Sequence, residues 1–303
     1  MNVNLQHVTR NASERLFMNE VDLHTHTTAS DGALTPTELV ARAAKLTLKV
    51  LAITDHDSTE GVAEALVAGQ SYGVEVIPGV EINTDVPGAE VHILGYFVDH
   101  TDPALRAELA RLREGRVGRA RRMAEVLTEM GAPVDFQRIL EIAGEGAVGR
   151  PHVAQALVEA GHVPSREAAF TKYIGRDSPA YVNRMKFTPA EAVATIRQAG
   201  GVPVLAHPVA YDRYGKIVTP FDLGEELPGL IDVGLRGIEV YYRGYDAVTI
   251  EYLMNIARRY KLLTTGGTDF HAIRPTEPDL GGVYVPMKAV RRLREAWQSP
   301  LQR

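Results

Sequence analysis

Six short apolar runs constrain this chain more than any other feature. They are LKVLAITDHD (48–57), VEVIPGVEIN (74–83), AEVHILGYF (89–97), GVPVLAHP (201–208), GIEVYY (237–242) and LLTTGGTDFH (262–271). Each is short and rich in β-branched or aliphatic residues, and so reads as a buried strand. Helical patterns separate several of them. TPTELVARAAKLT opens with threonine, proline and glutamate in helix-start positions, and TPAEAVATIRQAGG closes on glycine. Alternation of this kind implies βαβ units and a largely parallel sheet or barrel, hence an α/β fold. Residues 103–183 break the alternation with helical patterns and few strand-like runs. The expected organisation is an N-terminal extension (1–20), a barrel built from 21–102 and 184–303, and a helical insertion (103–183) between its two parts.

The bulk numbers exclude several function classes. The 303 residues carry 33 Lys plus Arg against 38 Asp plus Glu, a net charge of −5, which argues against charge-driven binding to duplex DNA. There is no cysteine, so disulfides, zinc fingers, thiolate nucleophiles and iron–sulfur clusters are ruled out. Any metal must be held by nitrogen and oxygen, which suits Mn, Fe or Zn. The N-terminus lacks the apolar core of a secretory signal, and no run approaches the roughly 20 apolar residues of a membrane span. The expectation is a cytoplasmic protein without a membrane partner. The Asn11–Ser13 sequon is then a coincidence of sequence.

Nearly every strand-like run stops at, or carries, a histidine or an acid. VDLHTHTTASDG (21–32) supplies His24, His26 and Asp31, and the two histidines, two apart, share one face of an extended strand. The later runs bring Asp55, His56 and Asp57, then Glu81, His92, His207, and finally Asp269 and His271. Side chains at the carboxyl ends of strands in a barrel converge on one mouth. Imidazoles and carboxylates buried together there are costly without a cation. Six histidines (His24, His26, His56, His92, His207, His271) and three acids (Asp31, Glu81, Asp269) are enough for two or three divalent ions at about three protein ligands each. Glu81, with two oxygens, is the natural bridge, and Glu81, Asp269 and His207 are assigned the catalytic role. Asp55 and the nearby threonines are candidates to orient imidazoles. His7, His100 and His162 read as structural or surface residues.

The order DLHTHTTASDG, ITDHDS, PGVEI, VHILGYF, GRPHVA, VLAHP, GIEVYY, TGGTDFH resembles the PHP (polymerase and histidinol phosphatase) superfamily. Within it the chain is most similar to the stand-alone bacterial phosphoesterases that include nucleoside 3′,5′-bisphosphate phosphatases and 5′-to-3′ exoribonucleases of short RNA. The resemblance implies a distorted (β/α)7 barrel with up to three metals. It would place His24, His26, Glu81 and Asp269 on the first ion, Glu81, His92 and His207 on the second, and Asp31, His56 and His271 on the third. The implied activity is hydrolysis of a phosphomonoester, a nucleoside 3′,5′-bisphosphate giving a nucleoside monophosphate and phosphate, with trimming of short RNA beside it. Two alternatives are histidinol phosphate phosphatase and a non-catalytic or proofreading module that partners a DNA polymerase.

Three cations already favour a small anionic phosphorylated substrate over a neutral amide. Arg150 in VGRPHVAQAL sits where a helix can begin, and its guanidinium can clasp a phosphate in two-pronged fashion. Similar enzymes place an arginine of this block on a second phosphate. Lys172, Arg176, Arg184 and Lys186 are further substrate-binding candidates, and His152 is as suited to capping as to binding. The arginines at 111, 113, 116, 119, 121 and 122 read as a solvated helix face, since no aromatic residue that could stack a base lies among them.

Overall fold

The computed structural model describes residues 19–86, 89–144, 148–182, 187–211, 217–219, 222–273 and 278–299. The elements run β1 (Val21–Asp22), α1 (Pro36–Lys45), β2 (Val50–Ile53), α2 (Val62–Tyr72), β3 (Glu75–Val86) and β4 (Ala89–Tyr96). The helices α3 (Pro103–Glu129), α4 (Phe136–Ala143), α5 (Arg150–Glu159) and α6 (Arg166–Ala169) follow, and a π-helical turn (Phe170–Ile174) ends that stretch. The chain returns through α7 (Pro189–Gln198), β5 (Val202–Leu205), a small β6–β7 ribbon (Ala210–Tyr211, Ile217–Val218), α8 (Leu223–Asp232), β8 (Gly237–Tyr242), α9 (Ala247–Tyr260), β9 (Leu263–Gly267) and α10 (Met287–Gln298).

The strands form one seven-stranded sheet in the order β1-β2-β3-β4-β5-β8-β9. Its two edges meet: Leu23 N–H donates to the Gly266 carbonyl at 3.2 Å, His26 N–H donates to the Phe270 carbonyl at 2.9 Å, and Thr25 bridges Phe270. The result is a nearly closed barrel. Six of its strands match the apolar runs. The parallel expectation needs correction in one place. β4 runs antiparallel to both β3 and β5, so β3 and β4 form a long hairpin in register from Gly79–Tyr96 to Val86–Ala89, with no helix between them. The remaining pairs are parallel.

The alternation of side chains along a strand builds two layers of core. Along β2, Val50 and Ala52 join the cluster that includes Val21, Leu94, Tyr96, Val204 and the α10 residues Val290 and Leu293. Leu51 and Ile53 turn the other way and pack beneath α1 and α2. A third cluster joins the outer faces of β3, β4, β5 and β8 to α7, α8, α9 and the start of α3. The later part of α3 leaves this cluster. Ala120, Met123 and Leu127 pack with α4, α5, α6 and the π-turn in a separate core. Helix α1 begins as the sequence indicates, and α7 begins in the same way: Thr35 and Thr188 each form a capping box with a glutamate three residues on, and proline holds the first turn. Gly200, at φ +74°, follows the end of α7. No helix among the described residues is long and apolar enough to cross a membrane.

The barrel closure is tightest at Gly267. A Cβ there would collide with the His24 backbone nitrogen and lie 2.7 Å from Asp22 Oδ1. Gly267→Ala should therefore destabilise the protein by about 1–3 kcal/mol. Thermal unfolding checks this: a lowered Tm is expected, and an unchanged one would show that β1 and β9 are not so closely apposed.

Candidate metal centre

The barrel mouth gathers the residues that the strand ends carry. β1 runs into His24 and His26, β2 into Asp55, His56 and Asp57, β5 into His207, and β9 into Asp269 and His271. Glu81 stands within β3 and His92 near the start of β4. Because β4 is antiparallel, its beginning rather than its end reaches the mouth. Pairing places Asn83 opposite His92 and Glu81 opposite Leu94.

Glu81 is the hub. Its Oε2 lies 3.3 Å from His24 Nε2, 3.3 Å from His26 Nε2 and 2.9 Å from His56 Nδ1. Its Oε1 lies 2.9 Å from His92 Nδ1 and 3.0 Å from His207 Nε2. Asp269 Oδ1 approaches His26 Nε2 at 3.1 Å and His24 Nε2 at 3.4 Å. The other oxygen of Asp269 is occupied: Tyr242 Oη donates to it at 2.7 Å and Arg243 at 2.9 Å. Asp31 Oδ1 lies 3.3 Å from His271 Nε2, and its two oxygens lie 3.9 Å from His26 Nδ1 and His56 Nε2.

Three ligand groups follow from these distances: His24, His26, Glu81 and Asp269; His26, Asp31, His56 and His271; and His56, Glu81 and His92. The first is the set that the resemblance implies for one ion, and the second contains the Asp31, His56 and His271 set. His207 and His92 share Glu81 Oε1, while His56 reaches the other oxygen. The donor set suits a cation. His24 Nε2, both ring nitrogens of His26 and Glu81 Oε2 are buried without a hydrogen bond among the described residues, and they converge on one another. Nitrogen and oxygen donors in this mixture suit Mn, Fe or Zn.

The electrostatics agree. Burial would raise the Glu81 carboxyl, but the charges of His56, His24 and His92 hold it well below the usual range. Burial opposes ionisation of Asp269 and Asp31 too, and imidazoles again win and keep both low, His24 foremost for Asp269 and His56 for Asp31. Burial pushes the His26 imidazole down, yet the carboxylates of Asp269 and Glu81, 3.1 and 3.3 Å from its Nε2, raise it to about 10. His24 is held well above its usual value by Glu239, Glu81 and Asp269 against its burial. His92, where burial dominates, is lowered. Buried acids that stay ionised and imidazoles that hold protons both mark a cluster that demands positive charge.

A layer of polar side chains fixes these groups. Asp55 accepts hydrogen bonds from Thr27 N–H and Oγ1–H, both at 2.7 Å, and from Ser30 at 2.6 Å, which sets the loop that carries Asp31. Asp22 holds Thr268 through its hydroxyl (2.6 Å) and N–H (3.0 Å), and burial raises its carboxyl. Asp57 accepts from Asn83 N–H at 3.0 Å. Asp57, His207 and Asp269 have φ of +49°, +22° and +51°, a region that costs a non-glycine residue about 1–3 kcal/mol. Sequence reasoning found Asp55 but passed over Asp22 and Glu239, which look like ordinary strand residues until the fold is known.

A cavity of about 1090 Å³ opens over the cluster, with Asp31, His56, His92 and His271 on its floor. Its other walls carry Arg116, Arg119, Arg150, Arg166 and Arg243. Three arginines of α3 thus depart from the solvated face expected of them. Arg113 donates to the Asp57 carbonyl at 2.8 Å, Arg116 pairs with Asp57 Oδ2 at 2.8 Å, and Arg119 donates to the Val182 carbonyl at 2.7 Å. A helix face turned toward a charged cavity has the same sequence as one turned toward water. Arg122 does face solvent, beside Glu125.

Arg150 opens α5 in the cavity wall, 3.5 Å from Glu90, with its guanidinium against the Phe170 and Tyr181 rings. His152 caps the same helix: its Nδ1 accepts Gly149 N–H at 3.0 Å, and the residue also lines the cavity. Lys172 is exposed over the Tyr173 ring, and Arg176 pairs with Asp85 at 3.1 Å; neither lines the cavity. Arg184 and Lys186 lie outside the described residues, as does His7. His162 Nε2 bonds the Pro133 carbonyl at 2.8 Å, a structural contact.

Metal uptake should release protons. His26 is raised to about 10 and so holds a proton at pH 8, His24 and His207 are shifted upward as well, and an ion must displace such protons to reach the nitrogens. Apparent affinity should therefore rise with pH. Calorimetric titration of chelator-treated protein with Mn²⁺ or Zn²⁺ in buffers of different ionisation enthalpy reads the released protons directly; binding without proton release would contradict the arrangement.

The PHP domain model matches residues 22–146 of the chain. A 3′,5′-nucleoside bisphosphate phosphatase from Chromobacterium violaceum is 36% identical over 265 residues, 87% of this chain and 91% of that protein. A 5′-3′ exoribonuclease, Rnm, from Salmonella typhimurium is 36% identical over 281 residues, 92% of this chain and 94% of its own. A crystal structure of a metal-dependent phosphoesterase from Bifidobacterium adolescentis superimposes with a TM-score of 0.78 at 34% identity, covering 92% of this chain and 96% of that one. On the barrel, the ligand clusters at its mouth and these likenesses, the chain belongs to the PHP domain family.

Proposed function

We propose that this metal-dependent phosphoesterase removes one phosphate from a nucleoside 3′,5′-bisphosphate and releases a nucleoside monophosphate, with the segment 103–183 acting as the insertion that holds the rest of the substrate. The observation that carries this reading is a pair of like charges. Arg119 and Arg150 stand near one another in the wall of the cavity whose floor is the metal centre. Burial and the neighbouring charge of Arg150 both push the Arg119 guanidinium down from its usual value. Two close cations are relieved by an anion between them. One phosphate at the metal centre leaves these two cations with a single neighbouring acid among the described residues, Glu90, 3.5 Å from Arg150, and a second phosphate supplies the remaining charge. Histidinol phosphate, with a single phosphate, offers no such partner.

The 5′ end of a 5′-phosphorylated RNA presents the same two groups, a 5′-phosphate and a phosphate on the 3′ oxygen. The same cavity therefore suits stepwise trimming of short RNA. Phe170, which lines the cavity, offers a ring face for a base. The relatives named as bisphosphate phosphatase and exoribonuclease support both arms of this reading.

Divalent ions held by the three ligand groups would supply Lewis-acid stabilisation of phosphoryl charge and a lowered pKa for water. The chain's own side chains do the rest. Glu81 presents one oxygen to each side of the cluster and so keeps the groups in fixed relation. Tyr242 and Arg243 tie up one Asp269 oxygen and leave the other facing the imidazoles. Arg119 and Arg150 orient the substrate by its second anionic group. His152, whose Nδ1 already accepts the Gly149 N–H, has Nε2–H as its donor when neutral, and burial favours the neutral form. In hydrolysis water adds to phosphorus, the ester P–O bond breaks, and the leaving alkoxide takes up a proton.

Arg150→Ala tests the pairing. It should raise KM for adenosine 3′,5′-bisphosphate by about 10- to 150-fold, the equivalent of losing a charge-assisted contact of about 1.5–3 kcal/mol, and change KM for adenosine 3′-monophosphate far less. Equal effects on both substrates would remove Arg150 from the second-phosphate site. In a parallel assay, phosphate release should be greater from the bisphosphate than from histidinol phosphate, both with added manganese.

A further inference from the structure

Glu239 is a fully buried acid that belongs to none of the ligand groups. It stands in β8 between Ile238 and Val240, both of which pack in the core. Its carboxylate reaches the metal centre indirectly. One oxygen lies 3.0 Å from His24 Nδ1, and the other accepts the backbone N–H of His207 at 2.8 Å. These two histidines come from distant strands and face opposite oxygens of Glu81, His24 toward Oε2 and His207 toward Oε1. Their rings stack, with centroids 5.6 Å apart and planes at 16°.

We infer that Glu239 is a positioning residue for two ion sites at once, holding His24 in the tautomer that ligates through Nε2 and holding the His207 backbone in the conformation that brings its ring to Glu81. The first half follows from hydrogen-bond chemistry. A carboxylate accepts only, so a neutral, ligating His24 carries its proton on Nδ1, which leaves the Nε2 lone pair for an ion held beside Glu81 and Asp269. The second half follows from the backbone. His207 has φ +22°, which a non-glycine residue keeps only where its surroundings impose it. The hydrogen bond from its N–H to Glu239 is such a restraint. Two acceptor oxygens meet two N–H donors, and a single carboxylate couples the sites.

This inference stands whichever phosphate ester the enzyme takes. It is tested with Glu239→Gln, which keeps size but offers one acceptor oxygen and one NH2 donor, and so can satisfy only one of the two N–H groups. Chelator-treated wild type and variant are titrated with Mn²⁺ by calorimetry, and their Tm is measured in chelator and in excess Mn²⁺. Expected are a 10- to 100-fold loss of affinity at two of the ion sites together and a metal-free Tm close to wild type. Zinc-loaded protein labelled with ¹⁵N-histidine should also lose the Nδ1-protonated signature of one imidazole. Unchanged affinity would overturn the inference. A Tm lowered equally with and without metal would also overturn it, because Glu239 would then serve only the core. If the glutamine variant does not fold, Glu239→Asp is measured in the same way; its shorter reach should weaken Mn²⁺ binding, and unweakened binding would overturn the inference.

Discussion

One buried carboxylate shared among five imidazoles governs this structure. His24, His26 and His56 crowd one oxygen of Glu81, and His92 and His207 crowd the other. Hydrogen bonds alone cannot satisfy such a gathering, as the unbonded nitrogens of His24 and His26 show. It is stable when positive charge enters it, as protons or as metal ions. The barrel is the device that brings the five rings together, since they come from three strand ends and the start of a fourth strand. Closure of β1 on β9 matters for the same reason: it carries His24 and His26 to within reach of Asp269.

The cavity above the cluster has two electrostatic walls. The floor is made of acids and imidazoles that demand cations, and the α3–α5 side carries arginines. Under the proposed function, a substrate anionic at both ends would bridge these walls, one end at the metal centre and the other against Arg119 and Arg150. The tie from α3 to the barrel runs through Asp57, which accepts from Arg116 and follows His56 directly. The arginine wall and the floor of imidazoles and acids therefore share a loop, and a displacement of α3 would be felt at His56.

Much of this was legible in the sequence. Apolar runs of strand length ending in histidine or acid foretold the strands and the residues that gather at one mouth, because a strand end is fixed by where the apolar pattern stops; the barrel itself was implied by the family resemblance. The helix start at Thr35 and the glycine that follows α7 were equally plain, since capping is local chemistry. What stayed hidden depends on partners far away in the chain. The reversal of β4 is a matter of strand pairing, which a strand's own residues do not record. The inward turn of Arg116 and Arg119 depends on how α3 lies against Asp57 and Val182. Glu239 looks like any strand residue until His24 and His207 arrive beside it.

The most direct measurement of the central claim is anomalous diffraction from crystals grown with manganese. Two or three peaks at the barrel mouth, each within about 2.0–2.3 Å of imidazole nitrogens and carboxylate oxygens drawn from His24, His26, Asp31, His56, Glu81, His92, His207, Asp269 and His271, would match this account. Peaks only at surface sites, with Glu81 bonded to the imidazoles alone, would contradict it.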